Sequence, residues 1–333
     1  MLKRAMKGIG ALALLTLLLA GCGQAPATTG GNRQFPGPGD DDSTPRGGIT
    51  QFYTRNVVYR VDEDIVVGMP DLIADLQVKR PNQPLIPANK EDFVVNIHTG
   101  NLVIEDAAMT AIFNKYVFNY EGSPLSDLKI ANKDGKVTMS GTMHKGIPLP
   151  FWMEGSLSPN GAGQLILKPE SVKSAGIPVK GIMDVMGLEM AKLINSKAAG
   201  VKIDGNNIVI YPDKLLPPPA INGFVTGARV ENGRVVMIFD DKVRRPYPDV
   251  AEPQAKNYLL MWGGAVLINN HLILDAKLQM IDTTPQDPMK FYMPVYREQL
   301  AAGYVVADRG YTIAYVPDVV GTTVDMPRYR PRL

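Results

Sequence analysis

The chain is poor in the side-chain combinations that enzymes use for catalysis. Its three histidines, His98, His144 and His271, lie in separate segments, and no two have the helical i, i+4 spacing of a zinc site. The G-x-S-x-G, Walker and G-x-G-x-x-G motifs of hydrolases and nucleotide-binding proteins do not occur. We therefore predict a protein that is not an enzyme, binds no metal ion and carries no cofactor.

Three carboxylates near the C-terminus offer the alternative of an envelope hydrolase. Asp275, Asp282 and Asp287 are close enough in sequence to supply a pair for general acid–base catalysis. However, Asp282 precedes Thr-Thr-Pro and Asp287 precedes Pro, and in such contexts an aspartate side chain accepts a hydrogen bond from the backbone of a turn. The turn interpretation is the one we adopt.

Cys22 is the one cysteine of the chain, and its surroundings indicate a covalent modification. Three cations, Lys3, Arg4 and Lys7, precede an apolar run that is too short to span a bilayer as a mature helix. The residues Leu19-Ala20-Gly21-Cys22 then resemble the lipobox of bacterial lipoproteins. The resemblance implies that a signal peptide, residues 1–21, is removed and that Cys22 is acylated. An ordinary secretory peptide with a chance cysteine is the alternative.

The lipobox implies an extracytoplasmic protein that a lipid anchors to a bacterial membrane. Gly23, in place of an aspartate after the cysteine, favours the outer membrane facing the periplasm in a cell that has one. Loss of residues 1–21 removes three cations and no acid, so the formal net charge falls from +2 to −1. A nearly neutral chain argues against nucleic acid as a partner. The bilayer, through acylated Cys22, is the partner that the sequence implies.

The mature chain divides into a tether and a globular part. Residues 22–48 comprise the lipidated cysteine and a Gly/Pro-rich segment with little apolar bulk, which predicts disorder and a reach of roughly 25–30 Å. Within it, Asp40–Asp42 is interpreted as a solvated charge run, with a calcium site as the alternative. Residues 49–333 contain enough apolar side chains for a sizeable β-rich domain.

Short strands separated by glycine turns dominate the globular part. Alternating apolar and polar residues on both sides of Asn132–Gly135 predict a hairpin. The blocks Leu128–Pro169 and Val201–Asp240 share one order of strands and turns, which predicts a duplicated meander. The remaining predicted strands and turns are Phe52–Arg60, Phe93–Ile97, Tyr258–Asp282, Asn160-Gly161, Asp204-Gly205 and Asn232-Gly233.

Three helices are expected: Glu105–Phe118, Pro178–Ala199 and Tyr296–Ala302. The second has Pro178 at its first turn, a wide apolar face and Gly200 at its C-terminal cap. An antiparallel sheet with one apolar face needs a cover, and this helix could supply it. We therefore predict an α+β fold, in which a long, curved antiparallel sheet wraps around one long amphipathic helix.

From about Phe93 to Asp240, this order of elements resembles the tubular lipid-binding superfamily, which includes BPI-like and SMP domains. The resemblance rests on helix Glu105–Phe118, the hairpin at Asn132–Gly135 and helix Pro178–Ala199 with the strands that flank it. It implies a core over residues 93–240 with an apolar tunnel for lipid tails, and residues 241–333 as a further strand-rich extension. The family has no fixed catalytic motif, so it assigns no catalytic residue to this chain.

Methionines are frequent on the apolar faces of the predicted elements. Methionine is flexible and polarisable, so it suits surfaces that adapt to varied apolar partners. A tunnel lined for acyl chains and an ordinary packed core are both compatible with this pattern. The candidate lipid-contacting residues are Met139, Met143, Phe151, Met153, Ile182, Met183, Met186, Met190 and Leu193.

Two functions of different classes follow. The first is a membrane-anchored lipoprotein that binds lipid or acyl chains in an apolar groove, for carriage or sensing. The alternative is a non-enzymatic structural or assembly lipoprotein that docks an envelope protein as its partner. An elongated apolar cavity beside helix Pro178–Ala199 would favour the first, and a fully packed core there would favour the second.

Overall fold

The computed structural model describes residues 48–320 and 323–324, and at positions 145, 183, 185, 189, 320, 323 and 324 it describes the backbone alone. The described residues belong to one compact unit. Strands account for 54% of the structure and helices for 15%, which confirms the β-rich prediction. The signal peptide, Cys22 and most of the predicted tether lie outside the described residues.

The described residues form twenty-two strands and four α-helices. In chain order the strands are β1 (Ile49–Arg60), β2 (Val66–Val78), β3 (Phe93–Glu105), β4 (Leu125–Lys133), β5 (Lys136–Lys145), β6 (Ile147–Pro159), β7 (Leu165–Ser174), β8 (Ile177–Val179), β9 (Val201–Asp204), β10 (Asn207–Ile210), β11 (Ala220–Gly223), β12 (Val225–Glu231), β13 (Arg234–Asp240), β14 (Tyr258–Trp262), β15 (Ala265–Ile268), β16 (His271–Leu274), β17 (Lys277–Asp282), β18 (Met289–Tyr292), β19 (Tyr304–Asp308), β20 (Tyr311–Val316), β21 (Val319–Val320) and β22 (Thr323–Val324). The helices are α1 (Asp106–Ile112), α2 (Ile182–Lys197), α3 (Pro212–Leu215) and α4 (Tyr296–Ala302).

Two large sheets form the body of the domain. The larger has eleven strands in the order β12-β13-β3-β2-β1-β14-β17-β20-β19, with β11 added to β3 and β18 added to β1, and it curls into a half-barrel. The smaller has seven strands in the order β4-β5-β6-β7-β10-β9, with β8 added to β7. Two further hairpins, β15–β16 and β21–β22, stand apart from both sheets.

Helix α1 covers the free edge of the smaller sheet through a ladder of side chains. Asp106, Thr110 and Asn114 are spaced four residues apart and therefore share one helix face. Their side-chain oxygens accept hydrogen bonds from backbone N–H groups of β4. Asp106 accepts from Asn132, Thr110 from Ile130 and Asn114 from Leu128, each at 3.0 Å. An uncovered edge strand is a template for pairing with another chain, and this ladder protects it. The helix continues into a π-helical turn at Phe113–Val117, so the predicted helix Glu105–Phe118 is confirmed.

The central helix differs from the prediction. It begins at Ile182, because Pro178 belongs to β8, and its backbone leaves helical geometry at Gly187 (φ 74°, ψ 169°). Only glycine adopts such a φ easily. Helix α2 packs against β5, β7, β8 and β9, so it contacts the smaller sheet. The predicted helix Tyr296–Ala302 is confirmed.

The local hairpins are confirmed, whereas the duplicated meander is wrong. Strands β4–β5, β9–β10 and β12–β13 pair around their predicted turns. The first block, β4 to β7, forms one continuous meander. In the second block, β9 and β10 extend the smaller sheet, while β12 and β13 join the larger one. The shared order of strands and turns therefore reflects local hairpins and not a repeated unit.

The curl of the larger sheet depends on irregular pairing at β1, β2 and β3. Asn56 has a positive φ of 52° and is skipped in the register between β1 and β2, where Arg55 pairs with Asp71 and Val57 with Met69. The residue opposite it on β2 is Pro70, which has no N–H to donate, so pairing is interrupted at this position while the register is kept. On the other side, the register of β2 and β3 shifts between Gly68 and Leu72.

Gly100 is the position where β3 lies closest to β2. Its φ is 125°, and a Cβ atom there would lie 2.1 Å from the backbone oxygen of Asp71. We expect Gly100→Ala to destabilise the domain by more than about 3 kcal/mol, because backbone on both sides must move. The matched control is Gly122→Ala, where φ is 75° but nothing lies within 4 Å, and its cost should be about 1 kcal/mol. Urea unfolding measures both, and equal losses would contradict a steric role for Gly100.

Candidate apolar binding site

The concave face of the larger sheet encloses an apolar cavity of about 120 Å³, which we call the half-barrel cavity. It is not fully enclosed, because Phe52, Tyr59 and Val95 are only partly buried. Its lining comes from six strands of the sheet, β1, β2, β3, β11, β14 and β18, and from the segments beside them. The lining residues are Phe52, Tyr59, Val61, Val67, Met69, Leu72, Leu76, Pro87, Phe93, Val95, Ile97, Leu102, Leu216, Pro217, Pro219, Ile221, Leu259, Met261, Phe291 and Met293.

Strand alternation explains which side chains face the cavity. In β14, Leu259 and Met261 line it, while Tyr258 and Leu260 point to the opposite face of the sheet and pack with Tyr53 in a second core. Residues 241–257 cover that outer face. Tyr247 from this segment contacts the Tyr53 ring edge-on at 4.9 Å, and its hydroxyl lies 2.7 Å from that of Tyr258. The sheet is therefore apolar on both faces, and the half-barrel cavity lies on the inner one.

A proline-rich segment lines the cavity from outside the sheet. Leu216, Pro217 and Pro219 lie between α3 and β11, and Ile221 follows in β11. The parallel pairing of Ile221 with Val95 brings this segment against the β3 side of the cavity. Prolines have fixed φ and no N–H, so they present apolar surface without an unsatisfied donor.

Tyr59 carries the one polar side-chain group that lines the half-barrel cavity. Its ring stacks on Phe291, with 6.2 Å between centroids and 20° between planes. Within the described part of the chain, no residue makes a hydrogen bond to its hydroxyl. Burial raises the pKa of the Tyr59 hydroxyl above its ordinary value of 10.0, because the charged form is poorly solvated there.

The size of the cavity limits what it can hold. An engineered apolar cavity of about 150 Å³ in another protein binds one benzene molecule. By proportion, 120 Å³ accommodates on the order of five carbon atoms. The cavity therefore fits the end of one hydrocarbon chain and excludes a complete lipid.

The sequence-predicted lipid-contacting residues lie elsewhere, between the smaller sheet and α2. Five of them line one space in this interior, and its volume is only about 10 Å³. Members that line this space are Met139, Phe151, Met153, Ile182 and Met186. Met143 is also buried, with 1% of its surface exposed. The interior between this part of α2 and the smaller sheet is therefore filled by side chains.

Two further predicted residues, Met190 and Leu193, line a separate surface groove. Met190 is buried and Leu193 is partly buried, and the other side of the groove contains Phe118, Tyr120 and Pro124. The groove is wide and open to solvent. The side chain of Met183 lies outside the described part of the structure, so its role as a ligand contact stays a prediction.

The histidines are distributed as their separate segments predict. His98 lies between two carboxylates, with Nε2 3.0 Å from Asp75 and Nδ1 3.0 Å from Asp241. Nε2 of His144 lies 3.0 Å from the Ser126 hydroxyl, and His271 is exposed. Across the described residues, no group of three His, Cys, Asp or Glu side chains could hold a metal ion.

The three C-terminal carboxylates do not converge in one open site. Asp282 is buried and accepts hydrogen bonds from the backbone N–H of Thr284 (2.7 Å) and from the side chain of Asn257 (2.9 Å), which confirms its turn interpretation. Asp287 forms an ion pair with Lys290. Asp275 is exposed on the turn after β16.

Comparison with known proteins adds no relative. The chain matches no protein-family model, and neither a curated protein nor a solved structure matches it. Over the described residues, no helix has both the length and the apolar character needed to cross a membrane.

The raised pKa of Tyr59 predicts a loss of stability at alkaline pH. The folded state retains the hydroxyl proton at a pH where the unfolded chain has lost it, so this contribution is present below pH 10 and declines as the pH rises further. We expect Tyr59→Phe to make this decline shallower by up to about 1.4 kcal/mol per pH unit. Urea unfolding between about pH 9 and pH 11 measures the slope. An unchanged slope would mean that the hydroxyl is well solvated.

Proposed function

We propose that this protein binds the end of a lipid or acyl chain in the half-barrel cavity while its acylated N-terminus holds it at a membrane. The observation that supports ligand binding is the cavity itself, which is lined by apolar side chains with the single exception of the Tyr59 hydroxyl. An apolar cavity of this kind does not hold water well, because water needs two to four polar partners. A hydrocarbon chain satisfies the lining and needs no directional contact.

Apolar transfer supplies the affinity for such a ligand. Each methylene that leaves water contributes about 0.8 kcal/mol, which is roughly a fourfold gain in the binding constant. On the order of five buried carbons would then contribute about 4 kcal/mol. This supports weak, chain-selective binding, which suits carriage or sensing better than permanent storage.

The membrane anchor is proposed from the lipobox at Leu19–Cys22. Two or three acyl chains on one cysteine anchor a protein stably, whereas a single chain does so only marginally. A tether of 22–48 would hold the half-barrel within roughly 30 Å of the lipid surface. That proximity places the cavity where acyl chains are abundant.

We further propose that the curled sheet is a divergent form of the tubular lipid-binding arrangement. The support is a curled sheet with an apolar interior; its pairing is antiparallel except at β1–β18, β3–β11 and β17–β20, which are parallel. In this form the sheet and the Leu216–Pro219 segment line the cavity, and α2 packs on the other sheet.

A chain-length series tests the ligand class. We expect the affinity for straight-chain alcohols to rise about fourfold per methylene and to level off at roughly five carbons, because longer chains extend out of the cavity. Isothermal titration calorimetry of the purified protein measures the series, and binding should show a negative heat-capacity change. A flat series would contradict apolar binding in a cavity of this size.

A pair of adjacent variants tests the location. Val95 lines the cavity, whereas Val94 points to the opposite face of β3, so Val95→Phe should fill the cavity and Val94→Phe should not. We expect the first to lower alcohol affinity at least tenfold, since it occupies the ligand's space, and the second to leave it unchanged. Thermal unfolding of both variants confirms that they are folded. Equal effects, or no effect, would refute the half-barrel cavity as the site.

The assembly lipoprotein remains the second candidate, and one observation favours it. The interior lined by Met139, Met153 and Met186 is packed, with about 10 Å³ of free space, so a lipid tail has no room there. Under this alternative the half-barrel cavity is a packing defect, and none of the alcohols binds with chain-length dependence.

A further inference from the structure

The hairpin β15–β16 is apolar on both of its faces. Its inward residues, Val266, Ile268 and Ile273, are fully or partly buried and pack in the main core. The outward face carries the cross-strand pairs Ala265–Leu274 and Leu267–Leu272. A two-stranded hairpin with one solvated face ordinarily has polar residues there, so this outward face departs from the pattern.

The outward leucines are strongly exposed. Leu272 has 56% of its surface accessible and Leu274 has 64%, and no described residue covers them. The outer edge of the hairpin, β16, pairs only with β15 among the described strands. Exposed apolar side chains that adjoin one another mark a surface for a partner or a membrane.

The hairpin lies beside the point where the preceding chain joins the domain. Leu85 is joined to the hairpin by two backbone hydrogen bonds. The N–H of Leu85 donates to the oxygen of Ala265 (2.7 Å), and the N–H of Leu267 donates to the oxygen of Leu85 (2.8 Å). Gly264, which precedes β15, packs against the first strand, so a Cβ on it would lie 2.6 Å from the backbone oxygen of Ile49. The first described strand therefore begins beside Gly264 and Ala265, and Ala265 pairs with Leu274.

The hairpin has no charge that would select an anionic partner. From Ala265 to Leu274 the chain contains no Lys, Arg, Asp or Glu. A surface of this composition enters the interface of a zwitterionic bilayer through apolar transfer alone, so its binding does not depend on salt.

We propose that the outward face of β15–β16 docks into the surface of the bilayer to which Cys22 is anchored, with Leu272 and Leu274 in the interfacial region. This inference rests on the acylation of Cys22 that the proposed function includes. The hairpin would act as a second, non-covalent contact. It would fix the orientation of the domain, which a flexible tether alone does not do.

The single cysteine of the chain makes a direct test possible. In the acylated full-length protein, Leu274→Cys introduces the only free thiol, and an environment-sensitive fluorophore can be attached to it. The matched control is Ile177→Cys, at a residue of similar exposure (68%) that belongs to the smaller sheet. Both proteins are reconstituted into phosphatidylcholine vesicles. Spin-labelled lipid and aqueous iodide then serve as quenchers, each at low and at high salt.

Docking predicts that the label at position 274 is blue-shifted, quenched by spin-labelled lipid and protected from iodide at both salt concentrations, whereas the label at 177 is quenched by iodide. A 274 label that iodide quenches as strongly as the 177 label refutes docking. A 274 label shielded from both quenchers also refutes it, because another part of the chain or a second copy then covers the hairpin. Intact mass measures acylation separately: an unmodified Cys22 refutes the anchor, and an acylated chain with an iodide-accessible hairpin refutes docking alone.

Discussion

The close approach of β3 to β2 at Gly100 is the contact on which the shape of the larger sheet depends. A Cβ atom at this position would overlap the backbone of Asp71, so the two strands can come this near only with glycine there. Asn56 and Pro70, which face each other, interrupt the pairing of β1 with β2, and the register of β2 and β3 shifts beside them, between Gly68 and Leu72. A β-bulge of the kind found between β2 and β3 increases local twist and bends a strand. The bend turns a sheet that would otherwise be flatter into a half-barrel with an interior of its own.

The domain consequently has two apolar interiors with different properties. Between α2 and the smaller sheet, flexible methionine side chains fill nearly all of the space, and little room is left for a ligand. Inside the half-barrel, aliphatic, aromatic, proline and methionine side chains on a curved backbone leave a cavity. A backbone hydrogen bond connects the two sheets where Gly233, in the turn between β12 and β13, donates to Asn132 of β4 (2.9 Å), and Gly233 also accepts from Asp106 at the start of α1 (3.0 Å). The packed half thus gives the cavity-bearing half a rigid support.

Local features of this fold were predictable from sequence, and long-range ones were not. The Asn-Gly and Asp-Gly turns indicate each hairpin, because their backbone geometry is decided by neighbouring residues. Strand β2 was not predicted. It contains Pro70, and a proline within a run of residues argues against a central strand unless a bulge is known to lie there. The candidate site was placed among the methionine-rich elements because of their composition. Composition does not show whether a methionine fills a core or borders a cavity, because that depends on the residues opposite it. In the half-barrel those residues come from β1, β3, β11 and β14, which are distant in sequence, and only their pairing reveals the space.

The most direct test of the central claim is to locate a bound alkyl chain with methionine methyl groups as reporters. Met69, Met261 and Met293 line the half-barrel cavity, whereas Met139, Met153 and Met186 line the packed interior beside α2. In protein labelled with carbon-13 at the methionine methyls, nuclear Overhauser contacts to a saturating straight-chain alcohol identify the site. We predict contacts from the alcohol to the first three methyls and none to the other three. Contacts confined to Met139, Met153 and Met186, or no contacts at all, would contradict ligand binding in the half-barrel.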